Sequence, residues 1–250
     1  MEELLFLNGL LLSRLVYIFN DGRLSSRALI IFGLLQVALC LLVFTGGWLP
    51  FVLAVVVLLV LLAPERWLSK DWLNESRFMG FLMILIATAV LRDNLMLAPW
   101  VETLLTGLVG MLWNGGPNID AFLSSGLWFL LGFLLVANEA NLMIRSIFHR
   151  FGLAPQMKAD DVNKAKTDQL DEQEYNAGRV IGILERWLMY SVLLVSQNFN
   201  VIALIIAAKG FARFRQMEER AFAEYVLIGT LSSMLLTILV AQIIGSMRGY

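Results

Sequence analysis

Charged residues interrupt three otherwise apolar stretches near the C-terminus. The stretches are GRVIGILERW (178–187), AAKGFARFR (207–215) and MEERAFAEY (217–225). A charge inside a membrane-spanning segment is costly, so it is expected to face protein or water and to have a partner. The three stretches therefore predict one charged helix junction. Its expected members are Arg179, Glu185, Arg186, Lys209, Arg213, Glu219 and Glu224.

Two ion pairs are expected in this junction, provided that the helices carrying its residues pack with their ends adjacent. Glu185 then reaches Lys209 or Arg213, and Arg179 reaches Glu224. A carboxylate at Glu224 also suits the start of a helix, because the helix dipole places partial positive charge there. The junction is either a fixed clasp or one that opens.

Small residues accompany these charges. Gly178, Gly182 and Glu185 are spaced by four and three residues, so they share one face of a helix. Glycines four residues apart let a second helix approach closely. We therefore expect Gly178, Gly182 and Gly229 to pack helices together, within one chain or between two copies of it.

A second group of polar residues lies towards the end of the apolar run that starts at residue 121. Asn138, Asn141 and Arg145 recur at three- and four-residue spacing, so they share one helix face, and Glu139 lies beside it. This polar stripe has two interpretations. It lines a hydrated path or binding cleft, or its asparagines bridge neighbouring helices while Arg145 extends towards the membrane surface.

Few residues of the types that catalytic sites need are present. His149 is the single histidine, which excludes a histidine metal cluster, and its position after an apolar run predicts an interfacial side chain. No glycine-rich phosphate loop occurs. Glu185, Glu219 and Glu224 have the chemistry of a general acid or base, but no nucleophile accompanies them. The sequence predicts no catalytic residue, no metal, no cofactor and hence no enzyme.

Composition indicates a membrane protein. Charged residues make up 16% of the chain, against about 25% in soluble proteins, and the mean hydropathy is +0.75. Several apolar runs approach the ~20 residues that cross roughly 30 Å of hydrocarbon. The runs lie at 28–44, 51–63, 78–91, 121–145, 180–196 and 221–245. The predicted fold class is all-α, a polytopic transmembrane helical bundle.

Three segments do not fit a full membrane crossing. Residues 2–19 carry Asn8 and Arg14, so an N-terminal interfacial helix is favoured over a short spanning helix. Residues 95–113 are interrupted by proline and glycine and are expected to be re-entrant or interfacial. Residues 201–208 are expected to form a short, broken helix.

The chain is interpreted as one integral membrane domain over residues 1–250. N-terminal helices occupy 1–145, a polar cytoplasmic loop occupies 146–178, and further helices occupy 179–250. Pro64 is expected to end the second apolar run. Lysine and arginine concentrate in a few loops, which the positive-inside rule places in the cytoplasm. These basic loops are 64–77, 145–179 and 209–220.

The three charged stretches, in this order, resemble the C-terminal part of a family of uncharacterised bacterial integral membrane proteins, a domain of unknown function. The family pattern is G-x-x-I-G-x-L-E-R, then A-K-x-x-x-R-F, then A-E-Y-x-L-I-G-T. The resemblance implies a multi-pass protein of the bacterial cytoplasmic (inner) membrane and no particular activity. A D-F-x-x-Q-like segment usual in the family is not visible in residues 1–145. The matching positions are Gly178, Ile181, Gly182, Leu184, Glu185, Arg186, Ala208, Lys209, Arg213, Phe214, Ala223, Glu224, Tyr225, Gly229 and Thr230.

Three classes of function are compatible with these features. The first is an oligomeric channel- or transport-type protein, with the charged junction at its cytoplasmic mouth. The alternative is a membrane sensor or anchor that recruits a soluble cytoplasmic partner through 146–178 and 209–220. A membrane-embedded enzyme is disfavoured. The expected partners are the lipid bilayer, a second copy of the chain and that soluble protein, but no nucleic acid, because the formal net charge is only −1.

Overall fold

A computed structural model shows the arrangement of these segments. It describes residues 1–20, 22–45, 47–112, 119–152, 164–196, 198–212, 214, 218 and 220–248. Side chains are described in the same ranges except at 70, 112, 119–120, 164–175 and 221–222.

The described residues are mostly helical, as the apolar runs predict. The helices are α1 (Glu2–Arg14), α2 (Ser26–Val43), α3 (Leu49–Trp67), α4 (Leu73–Leu91), α5 (Pro99–Leu112), α6 (Ile119–Leu134), α7 (Ala140–Arg150), α8 (Lys164–Val195), α9 (Asn200–Ala212) and α10 (Arg220–Met247). Short 3-10 turns occupy Leu15–Ile18, Lys70–Trp72 and Arg92–Asn94, and a π-helical segment, Leu135–Glu139, joins α6 to α7.

Five helical stretches are long and apolar enough to cross a membrane. They are Ser26–Val43, Leu49–Trp67, Leu73–Asn94, Ala121–Arg150 and Ala223–Met247. Their outward faces are also apolar, since large hydrophobic side chains such as Ile30, Leu34 and Leu235 are exposed. The predicted all-α helical bundle is confirmed, and its exposed apolar surface is that of a multi-pass membrane protein.

The N-terminal helix differs from the favoured interfacial position. Phe6, Leu10 and Leu11 of α1 are completely buried, and burial extends around most of the helix. Glu3 pairs with Arg92 at the end of α4 at 2.9 Å, whereas Arg14 contacts the backbone at the start of α4. An interfacial helix keeps one face in water, so α1 instead runs antiparallel to α4 through the interior.

Two other boundaries also differ from prediction. Pro64 does not end its helix, because α3 continues to Trp67. A proline near the end of a helix removes few hydrogen bonds, and packing against neighbouring helices compensates for them. The polar stretch expected as a loop is helical from Lys164 onwards and continues into α8 without a break. Its lysine, glutamate and glutamine residues favour helix over loop.

A small antiparallel strand pair closes one end of the bundle, and no periodicity in the sequence predicted it. Strand β1 (Phe44–Thr45) pairs with β2 (Met96–Leu97), with Phe44 opposite Leu97. The Ala98 amide also donates to the Val43 carbonyl at 2.9 Å. The start of α5 is therefore fixed beside the end of α2.

The basic loops lie together at one end of the bundle, as the distribution of lysine and arginine predicts. At one end, the ring of Phe148 packs against Tyr225 at 4.7 Å, and Arg150 lies 4.4 Å from the Trp72 ring. At the other end, Arg248 contacts Ser125. The last turn of α7, the start of α10 and the start of α4 thus share the basic end.

The helices α5 and α9 are shorter than the five candidate spans. Both α5 and α6 start at the end opposite the basic loops, so the chain makes no net crossing between them. Helix α5 has 14 residues and α9 has 13, and 13 residues span only about 20 Å of helix. Helix α9 is the short helix that the sequence predicts at 201–208, and the chain is again at the basic end where α10 starts. The re-entrant or interfacial course of 95–113 stays a prediction.

Candidate functional site

An ion pair between α1 and the π-helical segment lies in the centre of the bundle. Arg14 Nε donates to Glu139 Oε1 at 2.7 Å, and Nη2 donates to Oε2 at 3.1 Å. Both side chains are 4% exposed. Two parallel hydrogen bonds satisfy the carboxylate and fix the guanidinium, so this pair is a closed unit with no exposed group.

A second buried pair joins the end of α3 to α4. Arg77 Nε and Nη2 donate to Glu65 Oε1 at 2.8 and 2.6 Å. Arg77 also donates to the carbonyls of Asn20 and Gly22, while Glu65 Oε2 accepts from the Leu24 amide. Every charged oxygen and most of the guanidinium donors have partners, so this pair holds the chain between α1 and α2 in place.

Tyr17 connects the two pairs. Its ring lies 4.3 Å from the Arg77 guanidinium and 5.2 Å from that of Arg14, and Arg14 Nη2 donates to the Arg77 carbonyl at 2.8 Å. Cations over an aromatic face are stabilised by the ring quadrupole. Arg14, Tyr17, Glu65, Arg77 and Glu139 thus form a buried arginine network. Sequence reasoning assigned no role to this network, although Arg14 inside an apolar run already required a partner.

Two residues expected elsewhere meet at the same turn. Arg145 of the polar stripe contacts the carbonyls of Tyr17 and Ile18. Arg179 Nη1 also donates to the Ile18 carbonyl, at 2.8 Å, and its guanidinium lies 5.9 Å from the Phe19 ring. Helices α7 and α8 are therefore tied to the end of the N-terminal segment.

The Arg179–Glu224 pair expected from the sequence is not formed. Arg179 is directed towards Ile18, whereas Glu224 pairs with Arg220 one helical turn earlier, at 2.8 Å. Both partners of the latter pair are largely exposed. The local partner on α10 is available at no cost in helix packing, which explains why Glu224 does not reach α8.

The other expected ion pair is confirmed. Lys209 Nζ lies 2.6 Å from Glu185 Oε2, and the side chains are 18% and 16% exposed. This contact joins α9 to α8 and will be called the clasp. Arg213 and Glu219, which were also assigned to the junction, lie outside the described residues.

Arg186 has no carboxylate among its hydrogen-bonding partners in the described residues. The residue is 4% exposed. Its Nε donates to the Val136 carbonyl in the π-helical segment at 2.6 Å, and Nη1 donates to Ser233 Oγ of α10 at 3.3 Å. Within the described part of the chain, Nη2 is buried without a hydrogen-bond partner. A cation in this condition carries a large desolvation cost.

The Arg186 guanidinium lies at mid-depth in the bundle. Ser233 is ten residues after the start of the 25-residue span Ala223–Met247. Val136 is fifteen residues after the start of the 30-residue span Ala121–Arg150. The two partners thus lie near the middle of their spans, where the sequence had not indicated any charge.

The polar stripe is divided by the π-helical segment. Asn138 donates to Glu139 Oε1 at 2.8 Å, so Glu139 lies beside the stripe as expected, and both residues face the interior. Among the described residues, Asn138 Oδ1 and Asn141 Nδ2 are buried without a partner. His149 is exposed and lies 3.6 Å from Asp71, in agreement with the expected interfacial position.

The predicted packing glycines have different surroundings. A Cβ at Gly229 would lie 2.7 Å from Phe148 Cζ, so α7 does approach α10 closely there. A Cβ at Gly182 would meet only Arg186 Nη1, at 3.6 Å, and no other helix among the described residues. Gly182 therefore accommodates the Arg186 side chain, which lies back over the preceding turn. Gly178 is partly buried.

The described residues include no cluster of three or more His, Cys, Asp or Glu side chains that could hold a metal. No protein-family model matches the chain, and no curated protein or solved structure matches it either. The C-terminal resemblance therefore stays a prediction, and function must be argued from the clasp and from Arg186.

Proposed function

We propose that this multi-pass protein is a channel- or transport-type protein of a bacterial cytoplasmic membrane. The observation that carries the proposal is the clasp between Glu185 and Lys209. It fastens α9, a helix too short to cross the bilayer, to the apolar part of α8. Short or interrupted helices at membrane depth are tolerated where they line a cavity or pathway, and transporters use them to build solute sites.

The packing of α9 supports movement of this helix. Its Leu204, Ile206 and Phe211 side chains are exposed, and Ile202 is its one fully buried residue. Its main packing partner is α8. Release of the clasp would therefore free α9 at little cost in apolar contact. A second copy of the chain would supply the wall that α9 lacks on its exposed side, and we include such an oligomer in the proposal.

Catalysis is the weaker choice for the same acidic residues. Glu185 is neutralised by Lys209, and Glu224 is exposed and paired with Arg220. A general acid or base needs access to a proton on a bound substrate. We therefore propose a role for Glu185 in gating and none in chemistry.

Ion flux through reconstituted protein tests the proposal. Liposomes loaded with potassium chloride are diluted into gluconate medium, and ion-selective electrodes follow potassium and chloride release. We expect native protein to release an ion faster than empty liposomes. Glu185→Lys and Lys209→Glu should each alter that rate by at least threefold, and the double exchange should restore it.

An exchange at the exposed pair is the matched control. Arg220→Glu with Glu224→Arg changes the same charges on α10, where both side chains are largely exposed, and should leave the flux unchanged. If native protein and every clasp variant release neither ion, the transport function is rejected.

A sensor or anchor is the second candidate, and one observation favours it. Helix α8 runs unbroken from Lys164 to Val195, so a soluble partner on the charged segment 164–177 would act directly on Arg179, Glu185 and Arg186. Absence of flux together with binding of a partner to that segment would favour this function over transport.

A further inference from the structure

The strongest unexplained feature of the interior is the free edge of the Arg186 guanidinium. The side chain is 4% exposed, and Nη2 has no partner among the described residues. Nε and Nη1 bind only neutral groups, the Val136 carbonyl and the Ser233 hydroxyl. An Arg guanidinium remains charged under all ordinary conditions, so its charge at this position lacks a neutralising ion.

The surrounding charges do not supply that ion. Glu185 is adjacent in sequence and attracts Arg186, but its carboxylate is engaged by Lys209 at 2.6 Å. Arg145, on α7, is close enough to repel the Arg186 guanidinium. Glu139 is bound by both hydrogen bonds of Arg14. Within the described part of the chain, no carboxylate is therefore left to neutralise Arg186, and its uncompensated charge favours an anion.

From this geometry we propose that Arg186 and Ser233 form a binding site for a small, singly charged anion of the halide or nitrate class. Arg186 Nη2 supplies the cationic donor. Ser233 Oγ accepts from Nη1, and its own hydrogen is available to donate to the anion. A Cβ at residue 182 would touch Nη1 at 3.6 Å and nothing else within 4 Å, so Gly182 leaves this side of the guanidinium uncovered.

The size of the ligand follows from the enclosure of the site. The guanidinium is nearly covered at mid-depth, between α8, α10 and the π-helical segment, and Ser233 is 6% exposed. A lipid headgroup or a nucleotide phosphate would have to part these helices. A single unpaired positive charge also calls for a single negative charge. The inference rests on the proposed function in one respect only, because it takes the bound anion to be the solute that a transport-type protein would carry.

Anion-dependent stability of the purified protein tests the site without any need for transport. The thermal unfolding midpoint is measured in detergent while sodium gluconate is replaced by sodium chloride or sodium nitrate at constant ionic strength. A ligand that binds only the folded protein raises the midpoint progressively with the logarithm of its concentration above the Kd. We expect chloride and nitrate to do so, and gluconate and phosphate to have no such effect. A midpoint that is the same in chloride and gluconate would overturn the site.

Two variants assign the effect to the named residues. Arg186→Gln should raise the chloride Kd at least tenfold, and Ser233→Ala, which leaves the guanidinium in place, should raise it about threefold. Arg220→Gln removes an exposed arginine of α10 and should leave the Kd unchanged. If Arg186→Gln does not fold, the chloride Kd of Ser233→Ala decides whether the anion binds at this site. An unaltered Kd in every folded variant would show that the anion binds elsewhere.

The two proposals fail in different ways. Stabilisation by chloride that Arg186→Gln weakens, with no ion flux, rejects transport and keeps the anion site. Flux of potassium without chloride-dependent stability rejects the anion site and keeps the channel.

Discussion

At the scale of single residues, the interior contains two kinds of buried arginine. Arg14 and Arg77 each face a carboxylate at 2.7 and 2.6 Å and donate further to backbone carbonyls. Among the residues that the structure describes, Arg186 hydrogen-bonds only to neutral partners. The paired arginines hold helices together, because their charge is neutralised within the chain. The unpaired one is left able to attract a charged ligand.

Removal of the charge of Glu65 should strongly destabilise the protein. Glu65→Gln leaves the Arg77 guanidinium, which is 1% exposed, without its neutralising carboxylate, and such a break costs about 3–5 kcal/mol. Thermal unfolding in detergent measures this loss. Glu102→Gln is the matched control, because Glu102 is exposed on α5. Glu65→Met combined with Arg77→Met should recover most of the loss. Equal stability of Glu65→Gln and Glu102→Gln would show that the pair contributes nothing.

Sequence spacing predicted the partly buried Glu185–Lys209 pair and missed the two buried ion pairs for a physical reason. Glu185 and Lys209 are 24 residues apart, in consecutive helices, so adjacency along the chain made their contact foreseeable. Arg14 and Glu139 are 125 residues apart, and only the packing of α1 against the π-helical segment brings them together. A lone charge in an apolar run shows that a partner exists but does not identify it.

At the scale of elements, the packing of the bundle depends on the close approach of α8 to α6. Tyr190 is completely buried, and its hydroxyl donates to the Phe129 carbonyl at 3.1 Å. The Trp187 ring stacks on Phe133 at 4.4 Å. A Cβ at Gly132 would lie 2.1 Å from Tyr190 Oη, so the tyrosine fits only because residue 132 has no side chain.

Gly132→Ala should therefore displace Tyr190 and destabilise the bundle. Overpacking of this kind costs about 1–3 kcal/mol. Gly126→Ala is the matched control on the same helix, because nothing lies within 4 Å of a Cβ there, and alanine favours helix over glycine by about 0.5–1 kcal/mol. Unfolding in detergent should show a loss for the first variant and no loss for the second. Two equally stable variants would contradict the close contact between α6 and α8.

Helix positions were largely predictable from apolar runs, whereas their irregularities were not. Pro64 was expected to end its apolar run, and 146–178 to be a polar loop with at most a short helix, but α3 continues to Trp67 and α8 starts at Lys164. The π-helical segment Leu135–Glu139 has no signal in the apolar pattern, because it inserts one residue into a continuous helix. That insertion directs Glu139 to Arg14 and the Val136 carbonyl to Arg186.

At the scale of the whole molecule, buried arginine contacts tie most of the helices together, whereas α9 packs mainly on α8. The buried arginine network fixes α1, α3, α4 and the π-helical segment, and Arg145 and Arg179 extend it to α7 and α8. Helix α9 is joined mainly through the clasp. The membrane class could be predicted from composition alone, because a chain this apolar must expose apolar surface, and such surface must face lipid. The interior position of α1 could not be predicted from the sequence. A short helix with one arginine has the same sequence pattern on a membrane surface and inside a bundle.

Chloride release from proteoliposomes by three forms of the protein tests the central claim most directly, namely that a buried arginine at mid-depth serves the passage of an anion. Native protein should release chloride well above the rate of empty liposomes. Arg186→Gln should lower that release at least tenfold, and Arg220→Gln, the exposed control, should retain the native rate. Chloride release by Arg186→Gln at the native rate, or by native protein at the rate of empty liposomes, would contradict the claim.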